Sequence, residues 1–266
     1  MCRHLGYLGP PRAVGELIGA GSHSLRTQSW APRDMRGGGT INADGFGAAW
    51  WGNGGAADRD AAGGGGAGLG VMDTVTAYRN PAPIWTDPAI EGVLGQVHAS
   101  AILAAVRSAT VGMPLERAAC APFTGDGWAL SHNGRIEGWP GSVAALAEWL
   151  PAVELLRMPA LTDSALLWTL VRRRLEQGAP EDALCSVVAD VLEASPQSRL
   201  NLLLGNGSEL WATTVYHSLS VKVDETSAMV ASEPIDDDPG WRAVPDGHLV
   251  HARPGHLNIT ELGGHR

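Results

Sequence analysis

The sequence predicts a layered α+β fold, in which separate groups of helices pack on β-sheets. Strand-like segments fill the first half of the chain and return after Ser195-Pro196, whereas residues 143–192 repeat apolar positions at helical spacing. Because strands and helices are segregated rather than alternating, this order favours helical layers lying against sheets. No internal repeat or break in composition divides the chain, so residues 1–266 are expected to form a single domain.

The first half of the chain contains four apolar segments of strand length. Ser100–Arg107 is continuously apolar up to its last residue and is expected to be buried on both faces. Gly9-Pro10-Pro11 is expected to end the first strand, and the glycine-rich stretch Gly52–Gly70 predicts a flexible surface connection. The predicted strands are Leu5–Leu8, Gly45–Trp51, Val75–Arg79 and Ser100–Arg107.

The second half begins with a strand, continues with helices and ends with strands. Trp128–Ser131 predicts a strand that leads into a turn at His132-Asn133-Gly134. Asp163 and Pro180 stand where helices begin. Helices are predicted at Val143–Leu150, Ser164–Leu175 and Pro180–Leu192, and strands at Leu200–Leu204, Leu210–Thr214, Leu219–Val223, Ala228–Ser232 and His248–Ala252.

Composition excludes several classes of function. The 19 Lys and Arg residues against 28 Asp and Glu give a net charge of −9 without a basic stripe, so no nucleic-acid partner is expected. No apolar run reaches the ~18 residues of a membrane span, and none forms a secretion signal. The three cysteines lie far apart without a CxxC pair, and the nine histidines show no ligand spacing. We therefore expect a cytoplasmic protein without disulfides or metal.

Cys2 is the first candidate for chemistry. Methionine is normally removed when the next residue is small, and the mature chain would then begin with a thiol and a free α-amine on one residue. An α-amine is a base near neutral pH and can accept the thiol proton directly or through a water molecule. A cysteine in this position is more often incidental, so its meaning depends on the residues that accompany it.

Three further positions are compatible with an amide-cleaving site. The Asn133 side-chain amide and the Gly134 N–H could converge on an oxyanion, although Asn-Gly is also a common turn. Arg107 emerges from an apolar run and should meet a carboxylate, either of the protein or of a substrate. Asp163 could cap a helix, receive a substrate ammonium, or do both.

Seven short motifs in a fixed order resemble class II glutamine amidotransferase domains, which belong to the N-terminal-nucleophile hydrolase superfamily. Within that group the chain is most similar to the γ-glutamyl hydrolases of ergothioneine biosynthesis, which remove glutamate from γ-glutamyl-hercynylcysteine sulfoxide. The resemblance runs nearly end to end and includes Asp236–Gly240 and Trp241. The motifs are Met1-Cys2-Arg3-His4, Asn42–Gly47, Ala105–Thr110 with Gly112-Met113-Pro114, Ser131–Gly134, Thr162-Asp163-Ser164, Arg199-Leu200-Asn201 and Ser232-Glu233-Pro234.

This resemblance implies a four-layer αββα sandwich and a γ-glutamyl amidohydrolase that needs no cofactor. It implies that Cys2 is the nucleophile and, through its amine, the general base, and that Asn133 and the Gly134 N–H stabilise the oxyanion. The substrate is then a small γ-glutamyl compound that forms a thioester with Cys2.

The resemblance also implies how the substrate is held. Arg107 would bind the glutamyl α-carboxylate and Asp163 its α-ammonium, and Thr110 and His132 are assigned to the same binding site. The family's glutamine loop would fall on residues 36–40, which are unusually rich in glycine.

Three other functions stay open at this point. The chain could be the glutaminase subunit of a two-component amidotransferase, since 266 residues leave no room for a synthetase domain. It could be an N-terminal-cysteine acylase for penicillin-like or bile-salt amides, which would not need Arg107 and Asp163 for an amino-acid head group. It could also be a non-catalytic binding protein, a function that an intact Met1 would favour. The sequence makes no prediction of oligomeric state.

The aromatic and acidic residues suggest two weaker hypotheses. Ten tryptophans against three tyrosines and two phenylalanines could supply indole faces for a trimethylammonium group, and Trp30, Trp85 and Trp241 are candidates. Most tryptophans in a protein are simply part of its core. The acidic run at residues 236–238 is usually a solvated loop, but it could favour a cationic substrate.

Overall fold

The computed structural model describes residues 2–36, 41–52 and 75–263. Thirteen strands are present in this part of the chain, and all the strand pairs are antiparallel. They are β1 (Arg3–Ala13), β2 (Phe46–Trp51), β3 (Val75–Asn80), β4 (His98–Val106), β5 (Phe123–Gly125), β6 (Trp128–Arg135), β7 (Arg199–Gly205), β8 (Leu210–Thr213), β9 (Ser220–Val223), β10 (Ala228–Ala231), β11 (Arg242–Ala243), β12 (His248–Arg253) and β13 (His256–Glu261).

The strands form two sheets, and both draw on distant parts of the sequence. The first sheet has the order β11-β9-β10-β1-β4-β2-β3, and the second has the order β13-β12-β8-β7-β6-β5. β1 therefore lies at the centre of the first sheet and β6 and β7 lie inside the second. The predicted strands at the two ends of the chain meet in the first sheet, because β1 pairs with both β4 and β10.

Helices cover the outer face of each sheet. Three short helices lie in the first third of the described chain and four lie between β6 and β7. They are α1 (Val14–Gly19), α2 (Leu25–Gln28), α3 (Ala89–Gly92), α4 (Ala144–Glu148), α5 (Ala152–Leu156), α6 (Asp163–Leu175) and α7 (Pro180–Ala194). α6 and α7 are long enough to bury an apolar stripe, which includes Leu166, Leu167, Val187 and Val188.

Three apolar clusters separate the layers. One packs α1, α2 and α3 against the first sheet, a second packs α6 and α7 against the other sheet, and a third lies between the sheets. Strand alternation produces this arrangement: on β7, Leu202 faces the helices and Leu203 faces the opposite sheet. The order helix, sheet, sheet, helix confirms the predicted αββα sandwich.

The structure corrects three local predictions. β1 does not end at Gly9-Pro10-Pro11 but continues to Ala13, because the pairing with β4 shifts register between Leu8 and Arg12 and so accommodates the prolines. His132-Asn133-Gly134 is not a turn, since β7 pairs with β6 as far as Arg135. Asp163 is the first residue of α6, and its N-cap is Thr162, whose hydroxyl accepts a hydrogen bond from Ala165 N.

Most other predicted boundaries agree with the structure within a few residues. Seven of the described elements were not predicted, because they are short and depend on tertiary contacts for their stability: α1, α2, α3, α5, β5, β11 and β13. The stretch Gly52–Gly70 lies outside the described residues except for Gly52. Among the helices that the structure describes, none combines the length and the apolar character needed to cross a membrane.

Candidate active site

Cys2 lies at the end of the two central strands of the first sheet. It directly precedes β1, whose first residue, Arg3, pairs with Val106 at the end of β4. The side chain is half-buried, and its Sγ lies 3.7 Å from the carbonyl oxygen of Ser108. The chain entering the first sheet therefore presents the thiol beside the segment that leaves β4. Met1 lies outside the described residues.

Asn133 approaches Cys2 from the second sheet. It is completely buried on β6, and its Nδ2 donates a hydrogen bond of 3.3 Å to Ser232 Oγ. The same hydroxyl accepts a hydrogen bond of 3.0 Å from the backbone N–H of His4. Ser232 thus joins the Asn133 amide to β1 at a position two residues after Cys2. One N–H of the amide remains for another acceptor, because an asparagine amide has two.

A second polar contact joins the same two strands. His4 Nδ1 and Ser131 Oγ share a hydrogen bond of 2.9 Å, and both residues are buried. The two sheets are thereby fixed relative to each other by hydrogen bonds rather than by apolar packing alone. Hydrogen bonds require a defined geometry, so these contacts set the position of Asn133 relative to the strand that carries Cys2.

The backbone N–H of Gly134 points away from β7. Leu200, its partner on β7, donates its own N–H to Val215 O on the opposite side. Gly134 and Leu200 are therefore a non-hydrogen-bonded pair of the antiparallel ladder. On its other side, β5 pairs with β6 only at residues 128–130. The Gly134 N–H consequently lies beyond the part of β6 that β5 covers, as a donor to an oxyanion requires.

Glycine is required at position 134 by close packing. A Cβ atom there would lie 1.8 Å from the carbonyl oxygen of Arg199 and 2.6 Å from His132 Nε2. Both distances are far below van der Waals contact, and the first involves backbone, which cannot move aside as a flexible side chain can. In the sequence, Gly134 was a candidate for a different reason, because its backbone N–H could donate a hydrogen bond to an oxyanion.

Arg107 follows β4 and carries a guanidinium without a carboxylate partner. Its backbone N–H donates to Gly45 O over 2.7 Å, and its Nη1 donates to Pro114 O over 2.9 Å. No carboxylate oxygen of the described residues lies within 4.0 Å of it. Of the two partners that the sequence left open, a substrate carboxylate fits this environment better than a protein carboxylate.

Asp163 and Thr110 line the same cavity, which has a volume of about 300 Å³. The Asp163 side chain is buried, and its oxygens accept hydrogen bonds from the backbone N–H groups of Ile136 (3.0 Å) and Ser164 (2.8 Å). Those bonds hold the carboxylate in place and leave lone pairs for a further donor. Among the described residues Asp163 has no cationic partner. Gly112, Met113, Arg135, Glu137, Trp139 and Leu161 also line the cavity.

His132 uses both ring nitrogens within the protein. Its Nε2 donates to Arg199 O over 2.8 Å, since a carbonyl oxygen can only accept, and its Nδ1 lies 3.0 Å from Ser164 Oγ. These contacts join β6 to β7 and to the start of α6. The predicted role of His132 in substrate binding stays a prediction, and its contacts are those of a residue that positions Gly134 and Asp163.

A buried ionic cluster that the sequence did not predict includes Arg3, the residue that follows Cys2. Glu233 forms an ion pair with Arg3 (2.8 Å) and accepts a hydrogen bond from His23 Nε2 (2.7 Å). It also accepts from the backbone N–H groups of Arg33 (2.8 Å) and Asp34 (3.1 Å). Burial lowers the pKa of Arg3 and outweighs the opposing attraction of Glu233. Arg3 and Glu233 both occur in the motifs of the resemblance, but nothing in the sequence indicated that residues 230 positions apart form a pair.

Two of the buried histidines, His4 and His217, are uncharged at neutral pH. Burial, with smaller contributions from His132 and Arg3, lowers the pKa of His4 to about 3. Burial, with repulsion from Arg199 and Arg3, lowers the pKa of His217 to about 3. Such a low pKa makes each imidazole a poor proton acceptor from a thiol. His4 and His217 are therefore poor candidates for the base of Cys2, whose own α-amine is the candidate that the sequence offers.

The candidate tryptophans have structural contacts of their own. Trp30 and Trp85 pack edge to face with ring centroids 5.6 Å apart, and the Trp241 Nε1 donates to Asp236 over 2.7 Å. Asp238 pairs with Lys222 at 2.6 Å. The acidic run is therefore a surface loop stabilised by its own contacts, as acidic runs usually are. In the family's glutamine loop, residues 37–40 lie outside the described part of the chain.

No family model matches the chain, but full-length relatives do. It is 38% identical over 262 residues to the γ-glutamyl-hercynylcysteine sulfoxide hydrolase of Mycolicibacterium smegmatis, covering 98% of this chain and 100% of the relative. It is 39% identical over 264 residues to the protein of the same name from Mycobacterium tuberculosis, covering 98% and 97%.

Solved structures of low sequence identity share the fold. A glutamine aminotransferase class-II domain protein from Silicibacter pomeroyi matches with a TM-score of 0.66 and 19% identity, covering 98% of this chain and 99% of that one. The glutamine phosphoribosylpyrophosphate amidotransferase of B. subtilis matches with a TM-score of 0.65 and 17% identity, and the match covers 98% of this chain and 49% of that one. These structures show the fold alone. The relatives, at 38–39% identity over nearly their whole length, show that the chain belongs to the family of γ-glutamyl-hercynylcysteine sulfoxide hydrolases.

Proposed function

We propose that this protein hydrolyses the γ-glutamyl amide bond of γ-glutamyl-hercynylcysteine sulfoxide in ergothioneine biosynthesis, through a thioester on Cys2. The observation that carries the proposal is the identity of 38–39% with relatives of that name over 98% of the chain. The site supports it independently, because a half-buried thiol lies on one sheet and a buried amide donor reaches toward the same strand from the other.

The first half of the reaction forms the thioester. After removal of Met1, the α-amine of Cys2 accepts the thiol proton, and the sulfur attacks the γ-carbonyl carbon. The carbonyl electrons move onto oxygen, where Asn133 Nδ2 and the Gly134 N–H donate hydrogen bonds to the oxyanion. When the tetrahedral intermediate collapses, the C–N bond breaks and the α-ammonium gives its proton to the leaving nitrogen. Hercynylcysteine sulfoxide departs with a free amine.

The second half repeats these steps with water as the nucleophile and the Cys2 sulfur as the leaving group. The α-amine removes a proton from water, and the resulting hydroxide attacks the thioester carbonyl. The same two donors stabilise the second oxyanion, and collapse breaks the C–S bond. The sulfur recovers its proton from the ammonium, and glutamate is released. The low pKa of His4 supports the assignment of both proton transfers to the amine, since His4 is too weak a base for them.

The glutamyl head group requires two opposite charges, and the site contains both. We propose that Arg107 binds the α-carboxylate and that Asp163 binds the α-ammonium. Thr110 lines the cavity together with Asp163. Neither charged side chain has an oppositely charged partner among the described residues, so both are free to pair with a zwitterion. Buried charges that are left unpaired are costly, which supports a ligand that neutralises both.

The test is a comparison of two substrates. The purified enzyme is incubated with γ-glutamyl-hercynylcysteine sulfoxide and, separately, with glutamine, and glutamate release is measured. We expect a much higher kcat/KM for the first substrate. A preference for glutamine would favour the glutaminase subunit of a two-component amidotransferase instead. Release from simple acyl amides but not from γ-glutamyl amides would favour an acylase of another specificity.

Two further properties belong to the same proposal. We propose a single domain over residues 1–266 that acts on a small-molecule substrate without a cofactor. We also propose a cytoplasmic location, because Cys2, Cys120 and Cys185 are all free thiols, which suits a reducing compartment.

A further inference from the structure

A second cluster of polar and aromatic side chains lies next to the oxyanion donors and has no role in the mechanism above. It consists of Arg199, Tyr216 and His217. The guanidinium of Arg199 stacks on the Tyr216 ring, with its central carbon 4.2 Å from the ring centroid. The rings of Tyr216 and His217 meet edge to face, with centroids 5.1 Å apart. We refer to these three residues as the arginine–tyrosine cluster.

The cluster is attached directly to the catalytic end of the second sheet. The carbonyl oxygen of Arg199 accepts the hydrogen bond from His132 Nε2 and is in close contact with Gly134. Asn201, two residues further along β7, is the register partner of Asn133. The cluster and the two oxyanion donors therefore share the same strand ends.

The backbone of the cluster is held in an unfavourable conformation by buried hydrogen bonds. Tyr216 has a φ of 86°, in the left-handed region that side chains other than glycine rarely occupy. The fully buried Asn201 accepts from the N–H groups of Val215 (3.0 Å) and His217 (3.1 Å) and donates to His217 O (2.9 Å). Asp246 accepts from Tyr216 N over 2.7 Å. Strained residues fixed in this way are concentrated at binding and catalytic sites.

Two groups in the cluster have no partner within the described residues. Arg199 is half-buried, yet no carboxylate lies within ion-pair distance and its guanidinium makes no hydrogen bond there. His217 is 3% exposed, and its Nδ1 has no hydrogen-bond partner. A half-buried guanidinium and a buried imidazole nitrogen lie side by side without a hydrogen bond to the described residues, which indicates a site for a polar ligand. The positive charge of Arg199 indicates that the ligand is anionic.

The substrate class provides such an anion on the amine side of the scissile bond. In the γ-glutamyl amide of an amino acid, the leaving nitrogen is the α-amine, so a carboxylate lies one carbon from it. Arg107 and Asp163 are assigned to the glutamyl side, and the arginine–tyrosine cluster adjoins the oxyanion donors through β7. Glutamine, which releases ammonia, has no carboxylate in that position.

We propose that Arg199, oriented by its stacking on Tyr216, binds the α-carboxylate of the leaving amino acid and so selects γ-glutamyl amides of amino acids over glutamine. This proposal rests on the proposed function and adds a specificity-determining residue to it. A planar guanidinium is suited to bind both oxygens of a carboxylate, and its stacking on an aromatic ring reduces the freedom lost on binding. His217 would contribute a neutral polar contact to the same ligand.

The test uses a matched pair of small substrates. One is γ-glutamyl-S-methylcysteine sulfoxide, and the other is the same compound without the leaving-group carboxylate, γ-glutamyl-2-(methylsulfinyl)ethylamide. We expect the wild-type protein to prefer the carboxylate by about 10- to 100-fold in kcat/KM, the range of a charge-assisted hydrogen bond. Arg199→Met should remove most of this preference and leave the rate with the decarboxylated substrate nearly unchanged. Arg174→Met is the control, because Arg174 is on α6 and pairs with Asp190.

A second variant distinguishes a loss of carboxylate binding from a loss of folding. Arg199→Lys keeps the charge but lacks the planar fork, and we expect it to retain an intermediate preference while its melting temperature stays near the wild-type value. Equal losses on both substrates would mean that Arg199 has only a structural role and would overturn the proposal, as would no loss on either. If the wild-type protein releases glutamate neither from these two compounds nor from γ-glutamyl-hercynylcysteine sulfoxide, the proposed function itself fails, a result that differs from any Arg199 outcome.

Discussion

Arg3 and Glu233 form a buried ion pair, with Arg3 Nη1 2.8 Å from Glu233 Oε1 and neither side chain more than 3% exposed. Arg3 directly follows Cys2 in the chain, and the ion pair joins β1 to the segment that follows β10. Glu233 also holds the N–H groups of Arg33 and Asp34, so a single carboxylate connects three segments of the chain around the site.

Removing the negative charge should therefore destabilise the protein strongly. Glu233→Gln preserves the size of the side chain but leaves the buried Arg3 unpaired, which is expected to lower the free energy of unfolding by about 3–5 kcal/mol. Urea unfolding measures this difference. Glu16→Gln is the matched control, since Glu16 is exposed and its ion pair with Arg12 spans 3.8 Å; it should cost less than about 1 kcal/mol. Equal effects of the two changes would refute the assignment of a structural charge to Glu233.

The nucleophile is tested by substitution together with the mass of the intact protein. Cys2→Ala should abolish glutamate release and leave the melting temperature nearly unchanged, because Cys2 is half-buried and makes one weak contact. Cys185→Ala, which removes a buried thiol on α7, should remain active. The active protein should also have a mass without Met1. Full activity of protein that retains Met1 would contradict the amine as the base.

The oxyanion donor is tested by kinetics. Asn133→Ala should lower kcat by about 10²–10³ while substrate binding is preserved, since the lost hydrogen bond forms mainly in the transition state. Steady-state rates give kcat, and calorimetric titration of the Cys2→Ala/Asn133→Ala protein against Cys2→Ala gives the change in affinity. Asn206→Ala is a suitable control, because Asn206 lies in the turn between β7 and β8, at the opposite end of β7 from Arg199. Turnover at the wild-type rate would remove Asn133 from the mechanism.

The buried histidines predict how stability depends on pH. The pKa of His4 and of His217 is about 3 in the folded protein, against an ordinary value of 6.5. The unfolded chain therefore binds more protons between these values, so stability is complete above pH 6.5 and falls as the pH decreases toward 3. Each histidine contributes a slope of about 1.4 kcal/mol per pH unit well below 6.5.

Urea unfolding at pH 7.0, 6.0 and 5.0 measures that slope. His217→Gln should reduce it by about half within this range, before carboxylates begin to titrate. His98→Gln should not change it, because His98 is exposed at the start of β4. A slope that is the same in His217→Gln and in wild type would show that His217 is protonated in the folded protein.

The sequence predicted the fold class and most strands because their apolar patterns are local. It could not predict where β1 ends, because Pro10 and Pro11 lie in a register shift that depends on β4. The Asn133-Gly134 pair looked like a turn, and its strand conformation comes from β7, more than sixty residues away in the chain.

Some residues of the candidate site could also be predicted from the sequence, whereas the roles of others depend on tertiary contacts. Cys2, Asn133, Arg107 and Asp163 were predicted as site residues from their residue type and motif context. Ser232, whose hydroxyl connects Asn133 to β1, was visible only as part of a motif, since its role depends on contacts with two distant strands. In the arginine–tyrosine cluster, Arg199 belonged to a motif, but Tyr216 and His217 gave no sequence signal. The left-handed conformation of Tyr216 results from the buried hydrogen bonds of Asn201.

The absence of space beside Gly134 has a consequence for how this enzyme family can diverge. Any residue with a Cβ would collide with the backbone of Arg199, so substitution at position 134 cannot change the shape of the site. New substrate preferences must therefore arise around it, at side chains that project from neighbouring strand ends. A laboratory evolution experiment that seeks a different amine product should leave residue 134 fixed and randomise its surroundings instead.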